Sequence, residues 1–142
     1  MLYYSGKKKR HTLKTQVVVN KADRQIICTD FANGKKHDFA LFKESKVRIQ
    51  PETKVSADTG FIGIKKIHAN SELPIKRSKL KPLTEDDKAY NRSASSERVL
   101  VENVIGFLKR FKILSDRYRN RRKRFGLRFN LIAGICNFDS RT

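Results

Sequence analysis

Carboxylates are scarce in this sequence. Asp and Glu total 14 against 33 Lys and Arg, a net charge of +19 over 142 residues. Such self-repulsion opposes compaction, so a polyanionic partner is its natural explanation, and nucleic acid leads. A merely soluble basic surface needs far less charge. A membrane surface fits less well, because the basic runs lack an amphipathic, lipid-facing partner. Cysteine is rare too. Cys28 and Cys136 each sit in an apolar run without CxxC or histidine spacing. That gives a zinc site no support and reads as two small hydrophobes in a reducing cytosol. No apolar run is long enough to span a bilayer, and MLYY followed by SGKKKR does not read as a leader. There is no internal repeat and no low-complexity tract. What remains is 38% hydrophobic, enough for a modest core and too much for full disorder, in a length that fits one domain or most of one.

The strongest periodic signal is RVLVENVIGFLKR, from Arg98 to Arg110. Val101, Val104, Ile105, Leu108 and Phe111 recur at helical spacing, with no proline among them. At about 100° per residue, Arg98, Glu102 and Lys109 fall within about 40° of one another at one edge of the apolar face. A border carboxylate flanked by cations suits a metal held against a phosphodiester. It equally suits an ordinary intrahelical Arg–Glu pair, nearly neutral in energy.

In chain order, Ser5 to His11 reads as a basic turn. Thr12 to Asn20 reads as a strand, Lys21 to Gln25 as a polar turn and Ile26 to Ala32 as a second strand, together a hairpin. After the Asn33–Lys36 turn, Asp38 is placed to N-cap a short helix carrying Phe39, Leu41 and Phe42. Beyond Pro51, a short strand ends at Ala57, with Asp58 at its carboxyl end and glycines at 60 and 63. An acid there sits where α/β sheets place their chemistry, or it is a turn aspartate. Lys65 to Lys81 is basic and irregular, with Leu73 to Lys76 a candidate strand. Thr84 and Asp87 form a capping box for the next helix. Asn91 to Ser96 reads as a polar break, with Ser95 or Ser96 capping the long helix, which ends near Phe111. Ile113 to Tyr118 reads as extended or turn-like. Arg119 to Phe138 reads as a final helix with Phe125, Phe129, Ile132 and Ile135 as its apolar stripe. Arg117, Arg119, Arg121, Arg122, Lys123 and Arg124, with Arg128 one turn on, are either a solvated helix end or a strip that contacts phosphates.

The order strand, strand, helix, strand, helix, helix resembles an RNase H-like α/β fold, a mixed sheet flanked by helices, without its first strand. Six blocks in sequence carry a closer resemblance: YYSGKKKRHTLKTQVVV, GKKHDFALFKES, ADTGFIGI, KPLTEDDKAYNR, SERVLVENVIGFLKRFKIL and RFGLRFNLIAGICNF. They are similar to the blocks of bacterial insertion-sequence transposases of the DDE endonuclease superfamily, in the Harbinger-like group. The resemblance covers nearly the whole chain and implies one catalytic domain over residues 1–142. It implies DNA cleavage and strand transfer at transposon ends, with three acidic residues holding two divalent ions, Mg²⁺ above all. It implies work in the bacterial cytosol beside the nucleoid, with DNA as partner and no membrane. A second copy or an upstream transposase fragment is a further expected partner.

Residue by residue, ADTGF matches the block of the second acid, so Asp58 takes that position. Glu102 takes the third, in R-x-x-x-E, with Arg98 one turn before and Lys109 seven residues after. Arg98 and Lys109 would neutralise phosphate or orient DNA. His37-Asp38 matches an H-D block, which gives Asp38 either a capping or a metal-supporting role. Thr59 and Phe61 replace the family's usual lysine and tyrosine. The first acid belongs to a D-G-T-like block upstream of YYSGKKKR, and neither Asp23 nor Asp30 stands in its place. The expectation is an amino-terminally truncated domain, inactive alone and still able to bind DNA. The alternative is a non-catalytic basic nucleic-acid-binding protein.

Overall fold

A computed structural model describes residues 4–5, 10–79 and 81–140. Strands β1 (Tyr4–Ser5) and β2 (Arg10–His11) pair antiparallel, and most of the basic turn read between them lies outside the described residues. The hairpin expectation holds. Strand β3 (Leu13–Val19) pairs antiparallel with β4 (Ile26–Asn33), with Val17 opposite Thr29 and a bulge between Val18 and Val19. Its turn is closed by side chains: Ala22 N–H donates to Asn20 Oδ1 and Gln25 N–H to Asp23 Oδ1.

Helix α1 (Asp38–Ser45) buries Leu41 and Phe42. Strands β5 (Val55–Ser56) and β6 (Ser71–Glu72) pair in parallel. Strand pairing therefore starts before Leu73, and Leu73 to Lys76 is not a strand. Among the described residues the strands pair only two by two, in a mixed α/β arrangement rather than one continuous sheet. Between β5 and β6 the chain makes two 3₁₀ turns, at Thr59–Phe61 and Ile64–Lys66. Gly63 joins them at φ 99°, a region where other residues are strained, and a Cβ there would meet Phe39 at 3.2 Å.

Helix α2 (Glu85–Leu108) is one rod of 24 residues, started by the expected capping box of Thr84 and Asp87. The polar break at Asn91–Ser96 does not occur. No glycine or proline interrupts that stretch, and serine's mild helix penalty is outweighed by a well-capped start. Helix α3 (Lys112–Ser115) is a single turn, the turn-like of the two readings given for Ile113 to Tyr118. Helix α4 (Phe125–Asp139) follows a 3₁₀ turn at Arg122–Arg124. The expected start at Arg119 is wrong for an electrostatic reason. Consecutive cations repel at helical spacing and oppose the positive end of the helix dipole, so α4 begins where apolar burial begins.

The core lies between β3–β4, the end of α2, and α4. Ile26, Leu108, Phe125, Phe129, Ile132, Ala133 and Cys136 are buried together. Phe31 meets the rings of Phe125 and Phe129 edge-on at 5.6 and 5.4 Å. The stripe on α4 is rotated from the expected one. Ile135 is 45% exposed, while Ala133 and Cys136 turn inward. With Leu127, Leu131 and Phe138 also exposed, α4 is apolar nearly all round, and its partners rather than its sequence choose its face. Cys136 fits the expectation of a packed thiol, and burial pushes its pKa up, whereas Cys28 is half-buried. Asn137 fastens α4 to β4 with two bonds to the Ile26 backbone, accepting at 2.8 Å and donating at 2.9 Å.

One polar node holds the rest together. Lys21, in the hairpin turn, donates to Glu97 on α2 and to Ser56 at the end of β5, the latter at 2.6 Å. The Lys21 ammonium, by hydrogen bond and by charge, holds the Glu97 carboxyl below its ordinary value of 4.5, with Lys54 and Ser56 adding to the effect. A depressed carboxyl stabilises the fold above its unfolded pKa and loses that contribution as pH falls through the folded one. Wild-type stability, read from urea midpoints, should therefore decline between about pH 5 and pH 3 more steeply than that of Glu97→Gln. Phe129→Ala should cost about 3–5 kcal/mol and Asn137→Ala about 1–3 kcal/mol in the same measurement.

Candidate active site

Asp58 follows β5 and begins the turn to Thr59–Phe61. Its Oδ1 accepts from Thr59 N–H at 2.5 Å, and its carbonyl accepts from Phe61 N–H at 2.9 Å. It is thus a turn-capping aspartate, as local reasoning allows, and its side chain is still 58% exposed. Glu102 projects from the second half of α2, 61% exposed.

Arg98 connects the two. Its Nη1 lies 3.7 Å from Asp58 Oδ1 and its Nη2 lies 3.1 Å from Glu102 Oε1. The Arg98–Glu102 contact is the intrahelical pair that spacing alone suggests. The contact to Asp58 is not local: it joins residues forty positions apart across two elements. Two carboxylates meeting at one guanidinium repel each other less than they would alone, and both keep oxygens facing solvent. An exposed pair of this kind stabilises the fold by only about 0–1 kcal/mol, so packing sets the geometry and the ion pairs follow it.

Packing is set on either side of the pair. Ser56, two residues before Asp58, and Glu97, one residue before Arg98, share the Lys21 ammonium. Sequence reasoning missed Lys21, Ser56 and Glu97. A lysine in a polar turn gives no local sign of a partner on a helix 76 positions later.

Asp38 does not cap α1 as expected. It is the first residue of α1, with His37 at the N-cap and no side-chain capping bond. Its carboxylate pairs with Lys14 at 3.0 Å and packs on Gly60, where an added Cβ would come within 2.9 Å of Oδ2. It therefore supports the turn that carries Asp58. Among the described residues, no three His, Cys, Asp or Glu side chains come close enough to hold a metal together. Asp58 and Glu102 are two hard carboxylates of the kind a divalent ion takes, fewer than a two-ion cage needs.

The cations divide. Lys109 sits just past α2, exposed, about 10 Å along the axis from Glu102. Arg117, Arg119 and Arg121 lie in the exposed segment before the 3₁₀ turn, and Arg122, Lys123 and Arg124 form that turn. Arg128 is drawn away from solvent. Its Nη1 donates to Tyr118 Oη at 2.5 Å, and its guanidinium lies over the Tyr118 ring at 5.9 Å.

No helix among the described residues is long and apolar enough to cross a membrane. No solved structure matches the chain. The family model described as DDE superfamily endonuclease matches residues 1–137. The chain is 52% identical over 137 residues to a protein of Microchaete diplosiphon named probable transposase for insertion sequence element IS702. That alignment covers 96% of this chain and 50% of the relative, so the chain spans half the length of the protein it matches. The family match and this likeness agree, and the chain belongs to the DDE superfamily of endonucleases, among the insertion-sequence transposases.

Proposed function

We propose that residues 1–142 form the part of a transposase catalytic domain that supplies two of its three metal-ligating acids, Asp58 and Glu102. The observation that carries this is their convergence on Arg98 from separate elements. A pure DNA binder has no reason to bring two acids together on a surface of strongly positive charge. The reaction is in-line displacement at a phosphodiester, in which an attacking oxygen bonds to phosphorus and the 3′-oxygen leaves. A bound Mg²⁺ would supply Lewis acidity and charge neutralisation there. In this reading Asp58 and Glu102 hold the ion, Asp38 steadies the Asp58 turn, and Arg98 shifts from the carboxylates to a phosphate oxygen. Lys109 and the exposed cations from Arg117 to Arg124 take the flanking phosphates, with Arg128 the least available.

We read the fold as RNase H-like. Strands β3 and β5 each have one edge without a strand partner among the described residues, and Lys21 ties the end of β3 to β5 and α2. A strand lying between them would merge both pairs into one mixed sheet. Gln16 Oε1, buried on β3 with no hydrogen-bond partner among the described residues, lies on the same hairpin. The family's first acid belongs to such a strand and has no counterpart in residues 1–142. These residues alone are therefore proposed to cut no DNA, and to need that carboxylate from the rest of a transposase polypeptide or from an upstream fragment. A second copy at paired transposon ends, in the bacterial cytosol, fits the same reading.

Mn²⁺ titrated into the 142-residue chain should bind weakly, with loss of free-ion paramagnetic resonance signal, and Asp58→Asn or Glu102→Gln should abolish that loss. Unchanged binding in both variants would remove the pair from the site. In a polypeptide carrying all three acids, Glu102→Ala should reduce Mg²⁺-dependent nicking to background. Duplex binding should be sequence-tolerant and fall steeply with salt, and neutralising Arg121, Arg122 and Arg124 together should lower the log–log salt slope by about 2–3. A basic binder without catalytic ancestry would show the salt dependence and no Mn²⁺ uptake.

A further inference from the structure

The stretch LPIKRSKLKP, from Leu73 to Pro82, carries Lys76, Arg77, Lys79 and Lys81 and no acid. All four are exposed, and none forms an ion pair among the described residues. Four like charges in six residues repel, which favours a solvated, wandering loop. The structure shows the opposite. Ser78 and Lys81 exchange two backbone hydrogen bonds, at 3.2 and 3.3 Å. Asn91 of α2 then clamps the loop's near end, accepting from Ile75 N–H at 2.8 Å and donating to Ile75 C=O at 3.0 Å. Arg92, also exposed, stands beside that clamp. An amide on a helix thus anchors the near end of a basic loop, at Ile75.

The clamp also fixes where the loop sits. Asn91 and Arg98 are seven residues apart, so they lie within about 20° on the same face of α2 and about 10 Å apart along its axis. The loop is therefore fastened two turns before the guanidinium that gathers Asp58 and Glu102. Along one strand of duplex DNA about 10 Å corresponds to roughly three nucleotides.

We propose that the Lys76–Lys81 loop, held by Asn91, is a second phosphate-binding surface for duplex DNA, separate from the Arg117–Arg124 strip, gripping the strand about three nucleotides from the position presented to Asp58 and Glu102. Its placement relative to the cleaved position rests on the reading of those two carboxylates as the reaction centre. Its contact with DNA does not. The surface needs no base readout, since four flexible cations on a tight loop recognise charge and spacing.

Anisotropy of a fluorescent duplex over roughly 50 to 200 mM salt tests this on the 142-residue chain. The Lys76→Gln, Arg77→Gln, Lys79→Gln triple variant should lower the salt slope by about 2–3, additively with neutralisation of Arg121, Arg122 and Arg124. Asn91→Ala keeps every cation, so it should weaken binding severalfold while the slope changes by less than about 1. If that variant melts early in circular dichroism, the triple variant decides alone. Photo-crosslinkers placed at position 77 and, separately, at position 102 should mark one strand about three nucleotides apart. An unchanged slope in the triple variant, with the strip variant still lowering it, would overturn the loop while leaving DNA binding intact. Crosslinks on opposite strands or far apart would overturn the placement. No duplex binding by the wild-type chain would overturn both the loop and the function proposed above.

Discussion

Arg98 stands between two carboxylates that come from separate elements, the turn after β5 and the second half of α2. Its contact to Glu102 is cheap, because both residues share a helix face and a single turn separates them. The contact to Asp58 is the informative one. It requires β5 to end against the second half of α2, and it requires the turn after β5 to open toward that helix. Several features of the middle of the molecule lie around that approach: the parallel pairing of β5 with β6, Gly63 at positive φ, Asp38 against Gly60, and the Lys21 ammonium bonded to Ser56 and Glu97. Exposed ion pairs contribute little stability, so the arrangement persists because the backbone places it.

The charge balance gives that geometry its meaning. A chain at +19 gains by keeping its few acids dispersed as local neutralisers, and several are used that way, as Glu44 with Lys36, Glu72 with Lys54 and Glu85 with Lys88 show. Asp58 and Glu102 instead share one cation while remaining more than half exposed. The wider surface is the complement of this small acidic point: exposed arginines before α4, a clamped lysine-rich loop before α2, and Lys109 beyond the end of α2. The partner we propose, a polyanion with a divalent ion at one position, would satisfy both parts at once.

How much of this was legible in the sequence follows from the range of each interaction. The β3–β4 hairpin, the α1 apolar residues and the Thr84–Asp87 capping box are written within a few residues of themselves, and each was readable. The break at Asn91–Ser96 was misread because serines and asparagine mark caps only when their side chains turn to their own backbone. Asn91 instead bonds Ile75 on another segment. The start of α4 was misread because periodicity registers hydrophobic spacing and ignores repulsion among six neighbouring cations. Phe125, Phe129 and Ile132 were legible on α4, but a helix apolar nearly all round gave little signal to choose Ala133 and Cys136 over Ile135. Asp58 and Glu102 are proposed as site residues through their blocks rather than their surroundings. The Lys21–Ser56–Glu97 node left no local trace at all.

Crystals of the 142-residue chain equilibrated with Mn²⁺, measured at the manganese absorption edge, test the account most directly. It predicts one anomalous peak bridged by the Asp58 and Glu102 carboxylates, with Arg98 displaced toward solvent. Carboxylates that point into separate compartments, with no peak between them, would contradict it.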